Sequence, residues 1–361
     1  MLLSWLGARA LDAVGLAVAI GIAQPALAAS FKDPLDVPAK LSVKASSAPM
    51  LAVTNAGKRL VALGWRGHIV YSDDAGASWS QAKVPVSVDL TELSFPTAMQ
   101  GWAVGHAGVV LHTTDGGVTW VRQIDGRGVA KVMTDYYKGR IDKGDASAEK
   151  YLREVELSWR DGPEQPWLGV HFLDDKRGWV VGAFNMVMFT QDGGVSWTPM
   201  LDHMENPDAL HLNSITDIDG SLYLASERGI VFRKTPDSDR FLPMTSGYTG
   251  TFFGVCGHAD NILAYGLRGN VYRSADRGVS WQPMESGSKT TFNGCATTAQ
   301  QSVLVSQGGE VFITGQNPMT WVGGPQPKVG PLYAVHSDES GSLVLAGVQG
   351  VRRLAAVKER P

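Results

Sequence analysis

The chain has 361 residues, a formal net charge of -3 and only 19% charged residues. That balance excludes a general nucleic-acid binder, which needs an excess of Lys and Arg to displace counterions. Hydrophobic content of 44% excludes wholesale disorder, and two cysteines exclude a disulfide-framed scaffold.

Residues 1–28 have the order of a secretory signal. Arg9 leads, residues 13–23 (AVGLAVAIGIA) form an apolar run, and Ala26 and Ala28 supply small residues at a cleavage site. The run is short of the roughly 20 residues a bilayer span needs. No later stretch is long and apolar enough for a second span. The expectation is an exported chain, periplasmic or lumenal, that starts near Ala29.

A repeat governs the remainder. Residues 72–79 (SDDAGASW), 113–120 (TTDGGVTW), 190–197 (TQDGGVSW) and 274–281 (SADRGVSW) share one frame. Residues 234–241 and 314–321 are worn copies. Before each box lies a glycine turn followed by an alternating strand: GWRGHIVYS from Gly64, GHAGVVLHT from Gly105, GAFNMVMFT from Gly182, SERGIVFRK from Ser226, GLRGNVYRS from Gly266, SQGGEVFIT from Ser306 and GVQGVRRL from Gly347. The fourth positions of these seven turns are 41, 77, 44, 40, 40 and 41 residues apart.

Two further apolar segments precede each turn, as in LTELSF and GWAVG. Each unit therefore reads as four short strands, and four strands per forty residues is the arithmetic of a propeller blade. The fold expected is all-β: a seven-bladed β-propeller over residues 29–361. The seventh unit stops after three strands. The leading segment, residues 31–46, is expected to close that blade as its outer strand, since an open edge leaves N–H and C=O groups unpaired.

In each box the Asp accepts bonds across the turn, the Gly permits a left-handed backbone and the Trp packs between blades. Asp74, Gly76 and Trp79, Asp115, Gly117 and Trp120, Asp192, Gly194 and Trp197, and Asp276, Gly278 and Trp281 are thus structural.

These are the BNR or Asp-box repeats seen in sialidases and related propellers. The longer frame is more specific. Residues 95–120 read FPTAMQGWAVGHAGVVLHTTDGGVTW and residues 172–197 read FLDDKRGWVVGAFNMVMFTQDGGVSW. This pattern resembles the photosystem II stability and assembly factor family of cyanobacteria and chloroplasts, which also has members in bacteria without photosystems. Thr97 stands where the pattern has Asp, and Asn185 replaces a hairpin Gly. The resemblance implies a lumenal or periplasmic propeller without enzymatic activity. It implies a polypeptide partner, a subunit of a membrane complex or its precursor.

Strand order places the glycine hairpins and the connections between blades on one end, and the boxes on the other. Arg66, Arg228 and Arg268 share one hairpin position, and His106 and Trp65 precede that position in blades two and one. The long spacing falls between blades two and three, giving an insertion over about residues 123–165, on the hairpin face. Residues 145–159 (DASAEKYLREVELSW) read as a helix with Tyr151, Leu152, Val155 and Trp159 on one side. Tyr136 and Tyr137 precede it in an exposed aromatic-basic stretch. A docking surface for a protein is expected from Arg66, His106, Arg228, Arg268, Tyr136, Tyr137 and Trp159, because Arg and aromatic residues anchor such surfaces. The competing reading is solvated arginines and a helix that merely caps the propeller.

The competing activity is a sialidase-like Asp-box glycoside hydrolase. Against it, the leading F-R-I-P stretch is absent. Glu92, Asp174 and Asp175 lie near inner strands, but the two aspartates fall in a family turn. His203 and His211 lack metal-ligand spacing, and no phosphate loop or Gly-x-Ser-x-Gly elbow is present. No catalytic residue, metal or cofactor is expected. Cys256 and Cys295 lie 39 apart, one short of the local period. They either face each other between blades as a disulfide or stay as two buried thiols.

Overall fold

The computed structural model describes residues 32–258, 260–315, 321, 330–338 and 341–354. The leader at 1–28 lies outside them. Seven antiparallel sheets follow one another along the chain, each in sequence order.

Blade one comprises β1 (Met50–Ala56), β2 (Arg59–Gly64), β3 (Ile69–Ser72) and β4 (Ser80–Gln81). Blade two comprises β5 (Leu90–Ser94), β6 (Gly101–Gly105), β7 (Val110–Thr113) and β8 (Val121–Ile124). Blade three is β9 (Trp167–Phe172), β10 (Gly178–Gly182), β11 (Val187–Thr190) and β12 (Thr198–Pro199). Blade four is β13 (Leu212–Ile218), β14 (Ser221–Ser226), β15 (Ile230–Lys234) and β16 (Leu242–Thr245). Blade five is β17 (Phe252–His258), β18 (Asn261–Gly266), β19 (Val271–Ser274) and β20 (Gln282–Pro283). Blade six has β21 (Phe292–Thr297), β22 (Gln301–Ser306) and β23 (Val311–Gly315), and a bridge from Thr314 to Trp321 marks its fourth position. Blade seven has β24 (Leu332–Ser337), β25 (Leu343–Gly347) and β26 (Gly350–Leu354).

The inner strands touch in a closed circuit: β1 to β5, β9, β13, β17, β21, β24 and back to β1. That circuit is the seven-bladed propeller the repeat predicts. Between blades lie the apolar layers. One joins Val61, Leu63 and Ile69 of blade one to Leu90, Leu93 and Leu111 of blade two, and others repeat the scheme around the ring.

The box turns have the expected chemistry. Asp74 Oδ1 accepts from the Ser78 N–H at 2.8 Å and from the Ser72 hydroxyl at 2.8 Å, while Oδ2 accepts from the Ser78 hydroxyl. The same set recurs at Asp115, Asp192 and Asp276. Gly76, Gly117, Gly194 and Gly278 have φ of 86°, 89°, 85° and 90°, where a Cβ is strained. Each Trp stands one residue before its fourth strand rather than within it. Trp79 packs between blades seven and one, Trp120 between one and two, Trp197 between two and three, and Trp281 between four and five. Phe241 fills the place of a Trp in the worn box of blade four and is fully buried. The boxes also take bonds from the preceding blade. Arg59 donates to the carbonyls of Asp115 and Gly116, Trp102 to Gly193, and Tyr223 to Arg277.

Closure of blade seven departs from expectation. Among the described residues no leading strand pairs with β26. The first described stretch instead forms two single turns, Pro34–Asp36 and Ala45–Ser47. Pro34 and Pro38 lack the N–H that a paired strand needs, and Asp33 accepts from the Leu35 N–H, which favours a turn. The segment runs as a strap. Asp33 and Asp36 pair with Arg127, Leu35 is buried against Val84 and Val86, and Gln81 holds Lys40 O and Ser42 N with both ends of its amide. Ala45 then enters the layer between blades seven and one. A Cβ on Gly350 would stand 2.0 Å from Ser46 O, as one on Gly67 would stand 2.2 Å from Val86 O. The strap therefore takes the place of an inter-blade connection and not of a fourth strand.

The insertion holds two helices, α1 (Gly126–Asp142) and α2 (Ala148–Ser158), where one was expected. Tyr136 and Tyr137 lie inside α1. Asp125 caps α1 by accepting from Arg127 and Gly128 N–H groups. Val129, Met133 and Tyr137 of α1 bury against Ala148 and Val155 of α2 and against Trp167 of blade three.

Candidate functional site

The hairpins between second and third strands of blades one to five are built alike. Arg66, Ala107, Phe184, Arg228 and Arg268 all adopt φ near +55°, from 52° to 58°, and the Gly or Asn that follows is also left-handed. Two successive left-handed residues make a tight turn whose twist suits antiparallel strands. The fourth position is pressed by the next connection: a Cβ on Gly229 would stand 2.0 Å from Tyr248 O, and one on Gly269 2.1 Å from Ser288 O. Hairpins and connections thus share one face, as strand order predicts.

Arg66, Arg228 and Arg268 are exposed at their tips, and so is His106. Blades four and five are neighbours, while blade one lies across the channel from them. Arg228 pairs with Asp208 at 2.6 Å. Arg66 and Arg268 make no ion pair among the described residues. The Arg66 N–H donates to Asp89 Oδ1 at 2.8 Å, which fixes the tip but leaves the guanidinium uncommitted.

The insertion lies on this face. A Cβ on Gly108 would stand 2.7 Å from the Gly126 Cα and 3.2 Å from the Trp159 ring. Trp159 is accordingly a packing residue, half-buried on the blade-two hairpin. Tyr137 is fully buried and leaves the docking set. Its hydroxyl donates to Asp202 Oδ1 at 3.1 Å and accepts from the Leu201 N–H at 3.1 Å. Burial pushes its phenol far above the ordinary range. Arg140 bridges Asp202 and Asp145, so the helices are pinned to the exit of blade three. Tyr136 is half-buried at the edge of that cluster, with the Arg140 guanidinium 5.8 Å from its ring centre.

Phe184 is the aromatic tip that the sequence alone does not single out. Phe184 is 48% exposed and Trp65 is 43% exposed, adding aromatic surface to the arginine tips. Phe184 occupies the arginine position of its own hairpin, which is the signal that would have found it. Glu92, one of the acids expected near inner strands, lines a cavity of about 340 Å³ in the channel. Of the other acids near inner strands, Asp174 pairs with Arg177 at 2.7 Å in its turn, as a structural residue would. His203 and His211 have separate partners, Asp239 O and the Phe184 N–H.

Cys256 and Cys295 are joined, with Cα atoms 6.3 Å apart, and the bridge links β17 of blade five to β21 of blade six. Of the two arrangements open from the sequence, the facing one is found.

Residues 51–132 and 149–321 match the family model described as photosynthesis system II assembly factor YCF48. The chain belongs to this family. Over 76 residues it is 36% identical to the photosystem II assembly protein Ycf48 of Thermosynechococcus vestitus. That alignment spans 20% of this chain and 21% of the relative. In fold, the chain is similar to a structure titled YCF48 bound to D1 peptide, at a TM-score of 0.63 and 14% identity, covering 87% of this chain and 95% of the other. It is also similar to YCF48 from Cyanidioschyzon merolae, at a TM-score of 0.60 and 15% identity over 87% and 96% of the two chains. The WD40 propeller domain of Doa1 follows at a TM-score of 0.59 and 9% identity, over 89% and 95%. Members of the family therefore keep this propeller at low identity.

Proposed function

We propose that the protein is an exported, non-enzymatic scaffold that docks a polypeptide of a membrane complex on its hairpin face. The observation that carries this reading is the set of exposed tips: Arg66, Arg228 and Arg268 in one register, with Trp65 and Phe184 beside them. Guanidinium groups and aromatic rings are the usual anchors of protein interfaces. The family supports an assembly role, and a relative bound to a D1 peptide supports a polypeptide ligand. Export is supported by the disulfide, since such bonds persist in oxidising compartments. The leader-like residues 1–28 support it too.

The test is a triple charge reversal, Arg66→Glu, Arg228→Glu and Arg268→Glu. Crosslinked co-purification from the envelope fraction should lose the partner that the wild type retains, while the melting temperature stays the same. Retention of that partner by a folded triple variant overturns the reading.

A further inference from the structure

The inner strands of the seven blades share a register. The residues paired with Leu63, Val104, Val181, Ala225, Tyr265, Val305 and Ala346 of the second strands are Ala52, Glu92, Gly169, Ser214, Gly254, Gly294 and Ala334. Six of the seven are small. The reason is space: a Cβ on Gly294 would stand 2.6 Å from Tyr333 O, and one on Gly254 2.0 Å from the Tyr265 hydroxyl. Glu92 alone brings a long side chain, and a carboxyl, to this level.

That carboxyl borders the channel cavity of about 340 Å³. The volume suits one long side chain or a small organic ion. No Lys, Arg or His is among the described residues lining it. Glu92 accepts one hydrogen bond, from the Leu93 N–H at 2.9 Å. Thr91, Asn213 and Asn293 also line the cavity, yet each donates to the first inner-strand carbonyl of the next blade: Trp167, Phe252 and Leu332, all at 2.8 Å. Each of these bonds holds neighbouring blades together, and none of the three side chains carries a charge that would neutralise the acid. Three rings, Phe253, Tyr265 and Tyr333, share the remaining wall with aliphatic residues such as Leu51, Leu93 and Leu168.

We infer that this cavity is a binding site for one organic cation, an ammonium or guanidinium group whose charge meets Glu92 and whose stem lies against the aliphatic residues and rings of the wall. A lone carboxyl supplies the counter-charge, and ring faces attract a desolvated cation. The apo site is consistent with this. Burial holds the Glu92 carboxyl up at about 7, the value of an acid without a cationic partner. An arriving cation lowers that pKa, so binding near neutral pH releases a proton to solvent. Tyr265 and Tyr333 are the other titratable groups on the wall, and the phenol of Tyr265 is pushed upward by burial, so it stays neutral. His171 and His336, farther along the inner strands, are held below the ordinary range by burial. The cation could be a free amine or the tip of a Lys or Arg on a docked segment. The site itself does not depend on the docking reading.

The test uses n-butylammonium and n-butylguanidinium chloride, with 1-butanol as the uncharged control. Ring resonances of Tyr265 and Tyr333 in labelled full-length protein report occupancy. Both cations should shift them saturably, and butanol should not. Glu92→Gln, nearly isosteric, should weaken the cations at least tenfold. Should that variant not fold, the wild type at pH 5.5 serves instead, where a protonated carboxyl should weaken binding by a similar factor. A short Lys-containing peptide against its norleucine counterpart then separates a side-chain ligand from a free amine. No saturable shift with either cation, equal shifts with butanol, or undiminished binding to folded Glu92→Gln overturns the inference.

Discussion

Arg127, the second residue of α1, holds the Asp36 carboxylate at 3.0 Å and Asp33 at 2.7 Å. The first described turn of the chain is therefore tied to the insertion, two blades away from the strand that ends the last blade. The ion pairs are half-exposed and so weak, whereas Leu35 beside them is buried to 1%. Leu35→Ala should cost about 2–4 kcal/mol, the usual loss for a buried leucine. Asp36→Asn should produce a small loss that vanishes in about 1 M salt, where screening is complete within a few ångströms. Urea denaturation of the two variants at low and high salt measures both.

The box carboxylates predict an acid transition. Hydrogen bonds from Ser78, in side chain and backbone, hold Asp74 down to about 2, and bonds from Ser196 and Ser280 lower Asp192 and Asp276 in the same way. A group lowered on folding stabilises the fold above its unfolded value, near 3.8, and loses that contribution as pH falls through the folded value. Stability should thus decline between about pH 4 and pH 2. Melting curves across that window should flatten when Asp192 and Asp276 are both replaced by Asn, at the cost of a lower plateau.

Glu92 predicts the opposite slope. Its folded pKa, about 7, lies above the 4.5 of an unfolded chain. The stability it permits is complete below pH 4.5 and is lost as pH rises through 7. The swing is on the order of 3 kcal/mol, from roughly 1.4 kcal/mol per pKa unit. Glu92→Gln should remove the slope and be more stable than wild type at pH 8. A variant whose stability parallels the wild type from pH 5 to pH 8 would refute this.

The bridge between Cys256 and Cys295 closes a loop across two blades. Its removal should cost about 2–4 kcal/mol, whichever account of disulfide stabilisation is used. Melting with and without a reductant, compared with the Cys256→Ala, Cys295→Ala double variant, gives the value. The double variant should melt at the temperature of the reduced wild type.

Repetition made the ring legible. Seven glycine turns, five of whose six spacings are 40 to 44 residues, locate every blade, and the box residues locate the third-to-fourth-strand turns they mark. Individual departures were harder to read. Helix α1 carries Gly126, Gly128 and Gly139, which weaken its sequence signal, and its stability comes from burying Val129, Met133 and Tyr137 under α2. The missing fourth strand of blade seven predicts a strand for the strap. Two prolines and an Asp-capped turn argued otherwise, and those local signals prevailed. The basic neighbours of Tyr137 predict exposure, but every third or fourth residue of α1 turns inward. Glu92 is legible as an acid near an inner strand, but only the strand pairing shows that the six residues at its level in the other blades are small.

The strap also fixes where attachments emerge. Because Asp33 rests on Arg127, a fluorophore at that position would sit beside the start of α1 and report on the helical insertion. A label on β26 would report on blade seven instead. Distance measurements between two such labels would therefore relate the insertion to blade seven from outside, without touching either the arginine tips or the channel.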